Sequence, residues 1–300
     1  AQGLNISGTA KQHDLTTNVT GGTVAVAVNG VLQVGKTTTI SGGVWTISNV
    51  TIFPGNTVEV FTSGGATSTR AIGIVNYEGP GDLGGLALNE HWVTIGSAST
   101  SATAVSLTNL SKYDNSVSGN NDIFFDVDNT TGNYNHCATT LCSDSSIYVL
   151  AGNTFQPATS STKIISTFDF RLAGTFALNA NTLKVGASWR NLGGFAPGTG
   201  SVVFNATTSA RTIDSTGAAT STFGNVTFGE AATGATWTFA TPFVATGTVA
   251  MNYGTTTPGS QMMTLQGDLS IGVSGTFLKG SATTTFSGSG SRFNDFSSSP

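Results

Sequence analysis

The alternating carboxylates of Asp126-Val-Asp128-Asn-Thr130-Thr-Gly132 are the residues of this chain best suited to chemistry. A hard cation such as Ca2+ takes several oxygens from one tight loop. Two carboxylates one residue apart, a hydroxyl and a glycine turn can supply them. Asp126, Asp128 and Thr130 are therefore the candidate metal ligands. The loop departs from the calcium-loop pattern, because its glycine stands seventh rather than sixth and Cys137 occupies the place of the closing glutamate. A solvated acidic turn after a strand at 123–125 is the competing reading. Beyond that Ca2+, no cofactor is expected.

Cys137 and Cys142 are the chain's two cysteines. A close pair with no spare thiol suits a disulfide in an oxidising compartment. A zinc half-site beside His136 is the rival, and it lacks a convincing fourth ligand. Asn-x-Ser/Thr sequons begin at Asn5, Asn18, Asn49, Asn109, Asn129, Asn205 and Asn225, where secretion would permit glycans.

Signals for catalysis are sparse. The histidines are His13 beside Asp14, His91 beside Glu90, and His136. No Gly-x-Ser-x-Gly elbow accompanies them, so a hydrolase triad has no sequence anchor. In 166–300 the acids Asp169, Asp214, Glu230, Asp268 and Asp295 are spread one per turn region, unlike the clustered acids of a solenoid lyase. Trp45, Trp92, Trp189 and Trp237, with Tyr113, Tyr134 and Tyr148, are either core residues or a sugar-stacking platform. Trp92 is the most ambiguous of them. The expectation is a protein that is not an enzyme.

Composition narrows the class further. Only 9% of the 300 residues are charged, 39 are glycine and 38% are hydrophobic. A typical soluble domain is about 25% charged. Net charge is −4, no segment carries a basic run, and a nucleic-acid partner has no electrostatic footprint. No apolar stretch reaches the ~18 residues of a membrane-spanning helix. The first residue is Ala rather than Met, which suggests a removed leader or a piece of a longer chain.

The elements that would position these residues are short strands. Thr23–Val28 alternates, with Val24, Val26 and Val28 on one face; strands at 44–52, 57–61, 71–75 and 92–95 follow, separated by Gly and Pro turns. Residues 1–97 thus read as a β-sandwich and 98–165 as a β-rich connector holding the acidic loop and the cysteines. Residues 166–300 read as a repeat domain of short strands rich in Phe, Gly and Thr, either a β-solenoid or a further β-sandwich. Within it, 170–213 looks duplicated at 243–295. Phe170 to Asn179 matches Phe243 to Asn252, Phe195 matches Phe277 and Phe204 matches Phe286, with a turn-rich insertion at 253–259. The fold class is all-β, with no period long enough for a substantial helix.

Two resemblances follow from these segments. Gly43-Val-Trp-Thr-Ile-Ser-Asn-Val-Thr-Ile-Phe-Pro-Gly-Asn-Thr-Val-Glu-Val60 resembles the immunoglobulin-like domains of bacterial surface proteins. It implies an immunoglobulin-like sandwich acting as a spacer or adhesive module. Gly174-Thr-Phe176, Thr182-Leu-Lys-Val-Gly-Ala-Ser-Trp189 and Gly200-Ser-Val-Val-Phe-Asn-Ala-Thr207 resemble units of repeat-rich secreted surface and filament proteins of bacteria. They imply an exported, cell-surface or filament-forming role.

The functional expectation is a structural subunit of an extracellular filament or surface layer, assembling head-to-tail with copies of itself by β-strand addition. Leu4 and Ile6, in Gly3-Leu-Asn-Ile-Ser7, are the candidate assembly strand. The alternative is an adhesin that binds glycans or surfaces, and a carbohydrate-active β-helix enzyme comes third.

Overall fold

The computed structural model describes residues 3–65, 69–99, 103–136, 145–159, 162–208, 210–216, 221–230 and 234–297. Among the described residues it is all-β apart from two single-turn helices, and it divides into two compact units, Ala1–Pro157 and Ala158–Pro300.

The strands of the first unit are β1 (Leu4–Lys11), β2 (Thr23–Val28), β3 (Val31–Thr39), β4 (Val44–Val50), β5 (Thr57–Ser63), β6 (Ile72–Asn76), β7 (Leu83–Asn89) and β8 (Trp92–Ile95). After the helices α1 (Leu107–Leu110) and α2 (Asn115–Ser118) come β9 (Phe125–Val127), β10 (Tyr134–His136), β11 (Ser146–Val149) and β12 (Thr154–Phe155). One sheet has the order β4-β1-β7, antiparallel then parallel. In a second sheet, β3, β2, β5 and β6 pair antiparallel, and β6, β8 and β11 pair in parallel.

Alternation explains the core of this unit. Val24, Val26 and Val28 of β2, Val58 and Val60 of β5, and Trp45 and Ile47 of β4 join Ile6, Leu86 and Leu88 in one apolar cluster. Trp45 keeps its N–H satisfied by donating to Thr9 O at 3.1 Å. The opposite face of the second sheet is covered too. Phe61 of β5 stacks on Tyr113, Lys112 Nζ donates to Thr57 Oγ1, and Asn109 Nδ2 donates to the same hydroxyl. This is why Ala25 and Ala27, facing away from the Val24 side, are buried as well.

Ile6 is fully buried, and β1 is the central strand of its sheet, bonded on both edges. Ile6 is committed to the unit's own core and Leu4 packs partly against it, so an exchanged strand at Leu4 and Ile6 would have to leave both β4 and β7.

The second unit is a parallel β-solenoid whose rungs follow one another along the chain. The first three are β13 (Ile164–Thr167), β14 (Phe170–Leu172), β15 (Thr175–Ala177); β16 (Thr182–Val185), β17 (Trp189–Asn191), β18 (Gly194–Ala196); and β19 (Ser201–Phe204), β20 (Ala210–Asp214), β21 (Thr222–Phe223). The next is β22 (Asn225–Phe228), β23 (Thr236–Phe239), β24 (Phe243–Ala245). Two rungs then have a long strand turning a corner, β25 (Val249–Thr257) with β26 (Met263–Leu265), and β27 (Leu269–Phe277) with β28 (Thr284–Phe286). Finally comes β29 (Phe293–Asp295).

In-register columns carry the interior. Ile165, Leu183, Val202, Val226, Val249 and Leu269 form one, which ends in register on the exposed Phe293, and Val185, Phe204, Phe228, Met251 and Ile271 form its neighbour. Rings stack from rung to rung, as Phe204 does on Phe228 at 5.1 Å and Phe223 on Phe243 at 5.1 Å. Trp189, fully buried, donates its N–H to Ser215 Oγ; Ser215 donates on to Ser221 Oγ, which also accepts from Asn191 Nδ2. An interior hydrogen-bond chain of this kind is what lets polar atoms sit inside the stack.

The solenoid repeats by the single rung, and the landmarks matched in the sequence lie on different faces of it. Phe170 belongs to the face of β14, β17 and β20, whereas Phe243 belongs to that of β21, β24, β26 and β28. Phe204 and Phe286 differ likewise. The stretch expected to be an inserted turn at 253–259 is strand as far as Thr257, pairing Tyr253 with Ser274 and Thr256 with Phe277.

Candidate functional site

A cleft of about 240 Å³ opens at the end of the first unit, where strands of both sheets run out. Gln12 follows β1 and Glu90 follows β7; Val19 to Thr23 lead into β2; Ile40 follows β3; Thr62 and Ser63 end β5. The walls are tied down by short-range bonds. Gly21 N donates to Ile40 O at 3.1 Å, and Ile40 N donates to Gly22 O at 3.0 Å. Ala71 N donates to Thr62 Oγ1, which itself donates to Thr69 O. The loop beyond Gln12 is held by Asp14, whose carboxylate accepts from Thr16 N, Thr17 N and Thr17 Oγ1, and these bonds hold its pKa far below the usual carboxylate range.

Titratable groups gather beside this cleft from two distant segments. His13 stacks on Trp92 with centroids 5.5 Å apart, and His91 meets His13 edge-on at 5.7 Å. Trp92 Nε1 donates to His13 O at 3.3 Å. Glu90 is half-buried; burial raises its pKa above the usual value while both imidazoles oppose the rise, and its backbone O lies 3.3 Å from His13 Nδ1. Sequence reasoning singled out His13, Asp14, Glu90, His91 and Trp92 separately. What it missed is that they converge, and that Glu90 lines one cleft with its strand neighbour Gln12 and with Val19–Thr23. No motif marks that convergence, since it is produced by β1 pairing with β7.

A second group was also missed. Glu59 of β5 is fully buried, and neither carboxylate oxygen has a hydrogen-bond partner among the described residues. Desolvation, then the Asp114 carboxylate, holds its pKa well above 4.5. Asp114 is itself buried, capping α2 through Val117 N and tying β9 through Val127 N.

The acidic loop is an Asx-type turn joining β9 to β10. The Asp128 carboxylate accepts from Thr130 N, Thr131 N and Thr131 Oγ1, which lowers its pKa. Thr130 is exposed, and Asp126 pairs through its backbone with Asn135. Among the described residues no group of three or more His, Cys, Asp and Glu side chains is arranged to hold a metal ion. Cys137 and Cys142 lie outside the described residues. Of the sequon asparagines, Asn5, Asn18, Asn49, Asn129 and Asn225 are exposed. Asn109 is committed to the α1 capping box and Thr57, and Asn205 is half-buried.

All four tryptophans are buried, so the aromatic platform weighed for sugar stacking does not exist on their surfaces. In the solenoid the acids serve local bonds. Asp169 accepts from Ser188 N, Asp214 from Thr216 N, Asp268 from Arg292 N and Asp295 from Ser297 N, while Glu230 pairs with Lys184 at 2.6 Å.

No family model matches the chain, and no curated protein or solved structure is significantly similar to it. What bears on its function is its own geometry. No helix among the described residues is long and apolar enough to cross a membrane.

Proposed function

We propose that the chain is a structural subunit of an extracellular filament or surface layer, assembling with copies of itself through a β-edge. The observation that supports this most is β3. Among the described residues it pairs with β2 alone, and it presents Val31, Leu32 and Val34 at 62%, 39% and 89% exposure. An unpaired edge carrying apolar side chains is a template for strand addition. Lys36 and the slip in register between Ala25 and Ala27 limit indiscriminate pairing, so such a contact would be selective.

The immunoglobulin-like reading of 1–97 belongs to this proposal, supported by the buried Trp45 strand running through Pro54-Gly55 into β5. An extracellular setting is supported by the low charge and the exposed sequons. The test is electron microscopy and sedimentation of the native protein beside Val34→Lys. Ordered assemblies of the native chain, lost in a variant with unchanged thermal unfolding, are expected. A native chain that stays monomeric at high concentration overturns the proposal.

A further inference from the structure

The cleft lined by Gln12, Ile40 and Glu90 does not include Val31, Leu32 or Val34 of β3, and its chemistry is specific enough to name a ligand. Its described lining contains no Lys or Arg, and Glu90 is its single ionisable side chain. A phosphate, sulfate or uronate would meet the Glu90 carboxylate with no Lys or Arg in the lining to offset it. A metal ion lacks a ligand set among the described residues. What the cleft offers is one half-buried carboxylate, the Gln12 amide, the hydroxyls of Thr20 and Thr23, and a small apolar floor from Val19 and Ile40.

We propose that this cleft binds one ring of a neutral carbohydrate. A carboxylate accepts two hydroxyl hydrogen bonds at once, which suits a vicinal diol, and charge-assisted bonds are the stronger kind. The amide and hydroxyls can both give and take, which suits a ligand whose every substituent does the same. A pyranose also has a C–H face, for which Val19 and Ile40 are the match. The volume of about 240 Å³ is below the ~300–1,000 Å³ of pockets for drug-sized ligands, so one ring is the unit recognised. Preorganisation comes from backbone bonds: Ile40 is locked to Gly21 and Gly22, and Glu90 N donates to Lys11 O at 3.0 Å.

The test uses the whole chain. A glycan array containing neutral, N-acetylated, acidic and amino sugars comes first, and the strongest neutral hit is then titrated by NMR to about 10 mM, the range of weak single-ring affinities. Shifts at Gln12, Val19–Thr23 and Ile40 are expected. Glu90→Gln should weaken binding at least tenfold, and Thr20→Trp, which fills the exposed mouth, should abolish it with thermal unfolding unchanged. No neutral sugar shifting these residues, a preference for acidic or amino sugars, or binding that survives Thr20→Trp would each overturn the assignment.

Discussion

Phe170 and Trp189 occupy the same column on consecutive rungs, with ring centroids 5.0 Å apart and planes inclined by 21°. Trp189 also meets Phe195 and Phe223, so one side chain ties three rungs together. Replacing Trp189 by Ala should cost about 3–5 kcal/mol, the range for deleting a large buried aromatic. Denaturant unfolding followed by tryptophan fluorescence and circular dichroism measures it. A loss below about 1 kcal/mol would mean that the stack is not cohesive.

Neighbouring glycines offer a sharper contrast. A Cβ on Gly193 would lie 2.1 Å from Gly174 O, whereas one on Gly194 would meet nothing nearer than Thr175 Oγ1 at 3.6 Å. Gly193→Ala should therefore destabilise the solenoid by about 1–3 kcal/mol, as overpacking does, and Gly194→Ala should be close to neutral. Equal effects in thermal melts would count against the pairing of β15 with β18 in this register.

Glu59 gives the first unit a pH dependence. Its carboxyl is neutral where an ordinary glutamate is ionised, because burial raises its pKa, with Asp114 adding to the rise. The folded state thus holds a proton that the unfolded chain releases above about pH 4.5. Its stabilising effect is complete below that pH and is lost as pH rises towards the folded pKa, at up to about 1.4 kcal/mol per pH unit. Asp114, on an element over the same sheet face, also has a pKa raised chiefly by burial and acts in the same direction. Glu59→Gln should flatten the slope of stability between about pH 5 and 8. An unchanged slope would place its origin elsewhere.

Removing the start of the chain should do more than block assembly. Residues 3–8 carry five of the eight residues of the central strand β1, and Ile6 lies in the core. Deleting them, or making Ile6→Asp, should cost about 4 kcal/mol or more and unfold the first unit. A folded but non-assembling monomer after deletion would favour the exchanged-strand reading of Leu4 and Ile6.

If β3 and its apolar side chains hold subunits together, assemblies should persist at about 1 M NaCl, where exposed ion pairs are screened. Sedimentation in salt steps checks this, and dissolution would point to a charged interface instead.

The strands were the most legible part of the fold. Thr23–Val28 and Trp92–Ile95 read directly from alternation and their flanking turns, and the structure has them with the same bounds. The phase of the repeat was not legible. Phe and Leu point inward on all three faces, so a similarity between Phe170 and Phe243 cannot say which face each occupies. The helices at Leu107–Leu110 and Asn115–Ser118 are too short to show a period. Glu59 sits in Thr57-Val-Glu-Val-Phe61, where alternation sends the valines inward and the acid outward. That outward face is covered by a layer formed some fifty residues later, which no local pattern reveals.

The rung geometry of the second unit has a mechanical consequence. In a parallel solenoid the ladder bonds, such as those joining Leu183 to Val202 and Val202 to Val226, point along the stacking axis. A tensile load applied between Ile164 and Phe293 would thus fall on one rung boundary at a time instead of shearing every ladder together. The unit should lengthen in small successive yields and re-form when the load is removed, behaving as a spring with a built-in fuse.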